Sequence, residues 1–135
     1  FARNKQWATY TNDLNPNTMA TYHMDSLNFC KMLVEQQVVI NNLLFDPPYS
    51  PRQISESYKA VGLAVGMAQT QNGRFYKQVR DGLDRLLLPH GIAISCGWNS
   101  SGFGKTRGYE LIEILLVAHG GAHNDTIVTV ERKLA

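Results

Sequence analysis

The stretch Val38-Val39-Ile40-Asn41-Asn42-Leu43-Leu44-Phe45 constrains the fold of this chain more than any other segment. It is mostly apolar, rich in β-branched side chains and without strict alternation, a pattern that suits a strand buried on both faces. Asp46-Pro47-Pro48-Tyr49 stops it, because each proline fixes its own φ and removes an N–H donor. Strands of this kind belong to parallel sheets, which need crossover connections and covering helices, so the run predicts a central parallel strand of an α/β domain.

The flanking segments agree with that class. Trp7 to Thr11 has strand propensity and Asn12 to Asn17 is rich in turn formers, while Thr21 to Met24 predicts a second short strand. Asp25-Ser26 offers N-capping side chains to an apolar helical run through Leu27, Cys30, Leu33 and Val34, which places Asp25 at the carboxyl end of a strand. Arg52 to Gly62 has weak helical spacing, and Gly62 to Gly73 predicts a mobile connection. Phe75, Val79, Leu83, Leu86 and Leu87 share one helical face, and Pro89-His90-Gly91 is expected to end that helix before a buried strand from Ile92 to Cys96. Gly97 to Gly108 predicts a loop, and Tyr109 to Ala118 and Asp125 to Glu131 flank Gly120-Gly121-Ala122-His123-Asn124 as a β-hairpin. The sum is a mostly parallel α/β sheet that ends in an antiparallel hairpin. No internal repeat or low-complexity tract interrupts it.

Size and composition narrow the function classes. At 135 residues the chain is one domain's worth, enough to bury roughly two-thirds of its unfolded surface. With 44% hydrophobic and 18% charged residues it is neither disordered nor fibrous. Its longest apolar runs are far shorter than the roughly 20 residues of a membrane span, so no membrane partner is expected. Cys30 and Cys96 lie 66 positions apart in apolar stretches and read as buried thiols in a reducing, cytoplasmic compartment. A net charge of +2 is too small to argue for nucleic acid by itself.

Chemistry concentrates at Asp46 to Tyr49. In open α/β sheets ligands bind beyond the carboxyl ends of the strands, which is where these residues emerge. The paired prolines leave the Asp46 carboxylate and the Pro47 carbonyl as acceptors that local amides cannot quench, an arrangement suited to an amino group. Tyr49 is placed to stack on a planar heterocycle whose exocyclic nitrogen that pair holds. The plainer reading is an extended turn with Asp46 as a helix cap.

Other signals carry less. Gly104-Lys105-Thr106 lacks the glycine that a phosphate-binding loop needs five places earlier, where Asn99 stands. Ser100 and Ser101 lack nucleophile-elbow spacing. His23, His90, His119 and His123 with the two cysteines show no paired metal-ligand spacing, so no metal is expected, and His119 and His123 read as polar residues of a hairpin turn. Trp98 suits either a pocket wall or a core cover.

Asp46-Pro47-Pro48-Tyr49 behind a buried strand resembles the catalytic motif of S-adenosylmethionine-dependent amino-methyltransferases, most closely small phage-type adenine-specific DNA methyltransferases. Phe1-Ala2-Arg3-Asn4 resembles the end of that family's cofactor loop, although the glycines are missing. Thr11 to Pro16, with Asp13, is similar to the end of its second strand, and Tyr22-His23-Met24-Asp25 to the end of its third. The resemblance implies a Rossmann-like α/β fold whose first strand lies upstream of residue 1. The chain, which opens on Phe1, is then a fragment or the ordered part of a longer protein, within a single methyltransferase-like domain over residues 1–135.

The implied cofactor is S-adenosylmethionine, bound by Phe1, Ala2, Asp13, Asp25 and Asp46, and the implied reaction is methyl transfer to the adenine amino group in DNA. Asp46, Pro47, Pro48 and Tyr49 would be catalytic, and Arg52, Lys105 and Arg107 would contact phosphate, although each is also an ordinary surface charge. Methylation of a guanine amino group in RNA, or a non-catalytic nucleic-acid-binding module that has lost the cofactor, are the alternatives. The loops 62–73 and 97–108 are the candidates for base contacts.

Overall fold

The computed structural model describes residues 8–63 and 73–135. In chain order the elements are α1 (Ser26–Glu35), β1 (Ile40–Phe45), α2 (Pro51–Ala60), α3 (Gly73–Leu86), β2 (Leu87–Gly97), a 3-10 turn (Lys105–Arg107), β3 (Tyr109–Val117) and β4 (Thr126–Lys133). The chain forms two compact units, Phe1–Gln37 with Ser50–Gly82 and Val38–Tyr49 with Leu83–Ala135.

In the first unit the core is Ala20, Cys30, Leu33, Ile54, Phe75 and Val79. Asp25 caps α1 as its sequence position predicts, its Oδ1 accepting from the Leu27 and Asn28 amides. Cys30 of α1 lies against α3, where a Cβ on Gly82 would stand 3.0 Å from the Cys30 Cβ, so a small residue is required at that crossing. Among the described residues the two strands predicted at Trp7 to Thr11 and Thr21 to Met24 reduce to a single parallel bridge between Asn12 and Tyr22, flanked by bends. Trp7 lies outside the described residues. Side chains take over from a ladder here: the Asn12 amide donates to the Met24 carbonyl and accepts from the Met24 N–H, both at 3.0 Å.

The second unit is a four-stranded sheet in the order β1-β2-β4-β3. β1 and β2 are parallel, and β2–β4 and β4–β3 are antiparallel. One face is the core, with Leu43, Phe45, Ala93, Phe103 and Tyr109. The expectation that Val38 to Phe45 lies at the centre, buried on both faces, is not met among the described residues. β1 is an edge strand there, with Leu43 and Phe45 on the buried face, Leu44 on the other face 43% exposed, and Val39 just before the strand 63% exposed. β3 is the opposite edge, and its apolar side chains from Leu111 to Val117 are exposed on both faces.

α3 ends at Leu86 and β2 begins at once with Leu87, five residues before the strand expected at Ile92. The Lys133 ammonium takes the place of a cap, donating to the carbonyls of Asp84 (2.6 Å) and Leu87 (3.0 Å) and pairing with the Asp84 carboxylate. Pro89-His90-Gly91 forms a bulge inside the strand instead of a helix stop. Leu87 pairs with Ile40 and Ile92 with Asn42, His90 adopts φ 65°, and a Cβ on Gly91 would fall 2.7 Å from the Asn41 carbonyl oxygen. The hairpin is as predicted, shifted by a residue or two: β3 stops at Val117 and β4 runs from Thr126 to Lys133.

Glu131, 3% exposed in the middle of β4, holds the loop after β2 against the sheet. Its carboxylate accepts from the amides of Phe103 (2.6 Å) and Gly104 (2.9 Å), and Phe103 packs between the rings of Phe45 and Tyr109. Gly102, at φ 52°, cannot carry a Cβ, which would lie 2.2 Å from Glu131 Oε2. Glu131→Ala leaves two amides without their acceptor and is expected to lower stability by about 2–4 kcal/mol, and Gly102→Ala by about 2–3 kcal/mol; urea denaturation measures both.

Candidate active site

At the carboxyl end of β1 the chain leaves the sheet through Asp46, Pro47 and Pro48, which lie outside any helix or strand. The prolines cannot donate to a ladder, so the strand terminates and the Asp46 side chain is left exposed. Tyr49 folds back on it, and the phenol donates to Asp46 Oδ1 at 2.9 Å. Trp98, just past the end of β2, meets the Tyr49 ring edge-on with centroids 5.7 Å apart. The register of the sheet explains the meeting. Phe45 pairs with Ser95 in parallel and Gly97 with Ile127 in antiparallel sense, so the ends of β1 and β2 and the start of β4 fall at one rim.

The hairpin joins two more residues. Thr126 opens β4, and its Oγ1 lies 3.0 Å from His119 Nε2. Sequence reasoning read His119 as a turn residue and did not single out Thr126, because only strand pairing brings residues 119 and 126 together. Burial, then the hydrogen bond to Asp46 and that carboxylate's charge, push the Tyr49 phenol up to about 12 from its ordinary 10.0.

In the first unit Asp13 and Asp25 follow Asn12 and Met24, the residues joined by the Asn12 amide. Neither is idle. Asp13 Oδ1 accepts from the Asn15 N–H at 2.8 Å and closes its own turn. Asp25 uses Oδ1 for the helix cap and accepts a short hydrogen bond from the Tyr58 hydroxyl on Oδ2. Burial and this bond raise the Tyr58 phenol, and burial with the Asp25 charge pushes Tyr76 up to about 12. Tyr58 is the residue missed here, and its place on a weakly periodic helix gave no signal.

Of the basic candidates, Arg52 lies on α2 and Lys105 and Arg107 on the 3-10 turn. Arg52 pairs with Glu56 one turn along α2, Arg107 donates to the Phe103 carbonyl at 3.2 Å, and Lys105 is exposed on the 3-10 turn. Part of the 97–108 loop is held down by Glu131. Phe1 and Ala2 lie outside the described residues, as does most of the 62–73 segment. Among the described residues no group of three metal-ligating side chains occurs, and no helix is long and apolar enough to cross a membrane. Burial comes first and a nearby carboxylate second in pushing both thiols to about 11, Asp25 acting on Cys30 and Asp46 on Cys96.

A crossover-linked parallel pair closed by an antiparallel hairpin, with polar residues at the strand ends, has the architecture of the Rossmann-like methyltransferases. Solved structures bear this out. TrmN from Thermus thermophilus superposes with a TM-score of 0.51 at 18% identity, covering 87% of this chain and 30% of that one. The N-methyltransferase NodS from Bradyrhizobium japonicum WM9, in complex with S-adenosyl-L-homocysteine, gives 0.54 at 11%, covering 90% and 64%. M1.HpyAVI gives 0.52 at 12%, covering 83% and 53%. The chain thus spans less than two-thirds of each of these three proteins, and at these identities the likeness establishes the fold. No protein-family model and no curated protein matches the sequence.

Two measurements check this electrostatic picture. With a folded value above the ordinary one, the Tyr49 bond contributes fully below pH 10 and is lost as pH rises through about 12. Ultraviolet titration is therefore expected to lose a component near pH 12, and not near pH 10, in Tyr49→Phe. Both cysteines are expected to react with a thiol reagent at pH 8 about a hundredfold more slowly in the native protein than after unfolding.

Proposed function

We propose that the chain carries the amine-binding part of an S-adenosylmethionine-dependent methyltransferase that acts on the exocyclic amino group of adenine in DNA. The observation that carries this reading is the exposed Asp46 carboxylate at the end of a parallel strand, followed by two prolines and flanked by the Tyr49 and Trp98 rings. An amino group on an aromatic ring shares its lone pair with the ring and is a poor nucleophile. Hydrogen-bond acceptors strengthen it most as the nitrogen becomes tetrahedral, which favours the transition state over the ground state. Asp46 has acceptor capacity left, since Tyr49 uses one lone pair of Oδ1. The Pro47 carbonyl is the natural second acceptor. The aromatic pair suits a base taken out of its stack, an interaction worth about 1–3 kcal/mol per base.

S-adenosylmethionine, when bound, supplies an electrophilic methyl group on a sulfonium sulfur. Asp13 and Asp25 fit the donors of such a ligand, hydroxyls on the ribose and an amine on the adenine, because carboxylates only accept. Asp25 Oδ2 is held by Tyr58, so the ligand's amine would exchange with that phenol. Asp46 would accept one hydrogen of the target amine during methyl transfer, and the proton released when the new N–C bond forms would pass from this rim to solvent.

Calorimetric titration of the protein with S-adenosylhomocysteine is expected to give saturable binding, weakened at least about tenfold by Asp25→Ala and strengthened about fivefold by Tyr58→Phe, the latter matching one competing hydrogen bond. Transfer of radiolabelled methyl to unmethylated DNA is expected to fall at least about a hundredfold in Asp46→Ala. Transfer to structured RNA but not to DNA would move the substrate to the RNA alternative. No binding by folded protein would leave a non-catalytic module.

A further inference from the structure

β3 is the least protected element of the sheet. It pairs with β4 on one side, and among the described residues no strand lies on the other. Leu111, Ile112, Ile114, Leu115, Leu116 and Val117 are between 37% and 62% exposed, with Glu113 the one charge among them. Both faces are involved. Leu111, Ile114 and Leu116 lie opposite Glu131, Thr129 and Ile127, whereas Glu113, Leu115 and Val117 lie opposite Val130, Val128 and Thr126 on the other face. Edge strands that stay single normally carry charges or prolines that refuse a new neighbour, and Ile114 to Val117 has neither.

The amount of apolar surface fits a contact between proteins. The six side chains expose on the order of 500 Å², near the most that a monomer commonly leaves in one patch. Two copies joined there take on the order of 1,000 Å² out of water, enough for a specific interface of modest strength.

The strand is also its own complement. When two identical strands pair antiparallel in one continuous sheet, a two-fold axis stands normal to that sheet. Residues directly opposite each other project from the same face, so the axis has to pass through a residue and not between two. Through Glu113 it sets two carboxylates against each other, about 5 Å apart. Through Ile114 it brings in the irregularity between Leu111 and Glu113, and through Leu116 it runs past the end of β3 at Val117. Through Leu115 it sets Leu115 against its own copy, Ile114 against Leu116 and Glu113 against Val117, all within the uninterrupted stretch 113–117. The two Glu113 carboxylates then stand four residues apart along the strands, about 13 Å, where salt at physiological strength screens their repulsion.

We propose that β3 is a self-association edge, through which two copies of this chain pair antiparallel about Leu115 into one eight-stranded sheet. The inference does not rest on the reading of Asp46. β1, with its exit at Asp46, is the opposite edge of the sheet and takes no part in the pairing.

Sedimentation equilibrium of the full protein is expected to show exchange between monomer and dimer, with a dissociation constant on the order of micromolar. Leu115→Lys and Leu115→Glu, both at an exposed position, are each expected to weaken the dimer at least about a hundredfold, because like charges then face each other at its centre. Mixing the two variants is expected to restore a dimer, since residue 115 meets its own copy and the facing charges become opposite. That rescue also shows that both variants are folded. Leu44→Lys, at an exposed apolar position on the other edge strand, is expected to dimerise like the unsubstituted chain. A protein that stays monomeric up to about 1 mM overturns the proposal, as does assembly beyond two copies or a dimer that Leu115→Lys leaves intact. Lys and Glu variants that fail to pair with each other overturn the axis through Leu115, and a dimer lost in Leu44→Lys overturns β3 as the contact.

Discussion

β2 is the strand on which the second unit depends. Its backbone is paired on both sides, parallel to β1 and antiparallel to β4, and every placement at the rim follows from those two registers. Because residues along a strand alternate between faces, a slip of one residue in either pairing would send Phe45, Ala93 and Thr129 out of the core. The bulge from Leu88 to Gly91 absorbs the extra residues between helix and ladder without breaking that register. Gly91 is the residue that lets two backbones approach there, since any side chain would strike the Asn41 carbonyl.

A common device appears in both units. Asp46 is held by Tyr49 and Asp25 by Tyr58, each carboxylate accepting from a phenol that burial keeps protonated. A neutral phenol orients a carboxylate without neutralising it, so the carboxylate keeps its charge and its remaining lone pairs. Arginine in the same place would neutralise the carboxylate and lower its value as an acceptor. Glu131 shows the other solution. It too is an acceptor, but it is buried and saturated by backbone amides, and its work is to fix a loop.

The sequence was most readable where local chemistry and periodicity coincide. Asp25 before an apolar periodic run announced both a cap and the helix behind it, and the glycine-rich turn at 120–124 announced the hairpin. The boundary between α3 and β2 was not readable, because the group that satisfies the helix carbonyls is Lys133, 47 positions beyond Leu86. Among the described residues the central placement expected for Val38 to Phe45 is not found, for a related reason. Composition reports that a strand can be buried, whereas the number of neighbours it has is a property of the sheet.

By itself the sequence determined that this is an α/β chain, that Asp46, Pro47, Pro48 and Tyr49 leave a strand at its carboxyl end, and that Asp25 sits at a helix start. Those are facts about neighbours in the chain, governed by propensity, proline geometry and capping. Only the tertiary structure decided that Trp98 joins Tyr49, that Thr126 meets His119, that Tyr58 bonds Asp25, and that Glu131 anchors the loop after β2. The physical reason is that a hydrogen bond needs its partners within about 3 Å. Strand register and helix packing, and not spacing along the chain, bring residues so far apart in sequence to that distance.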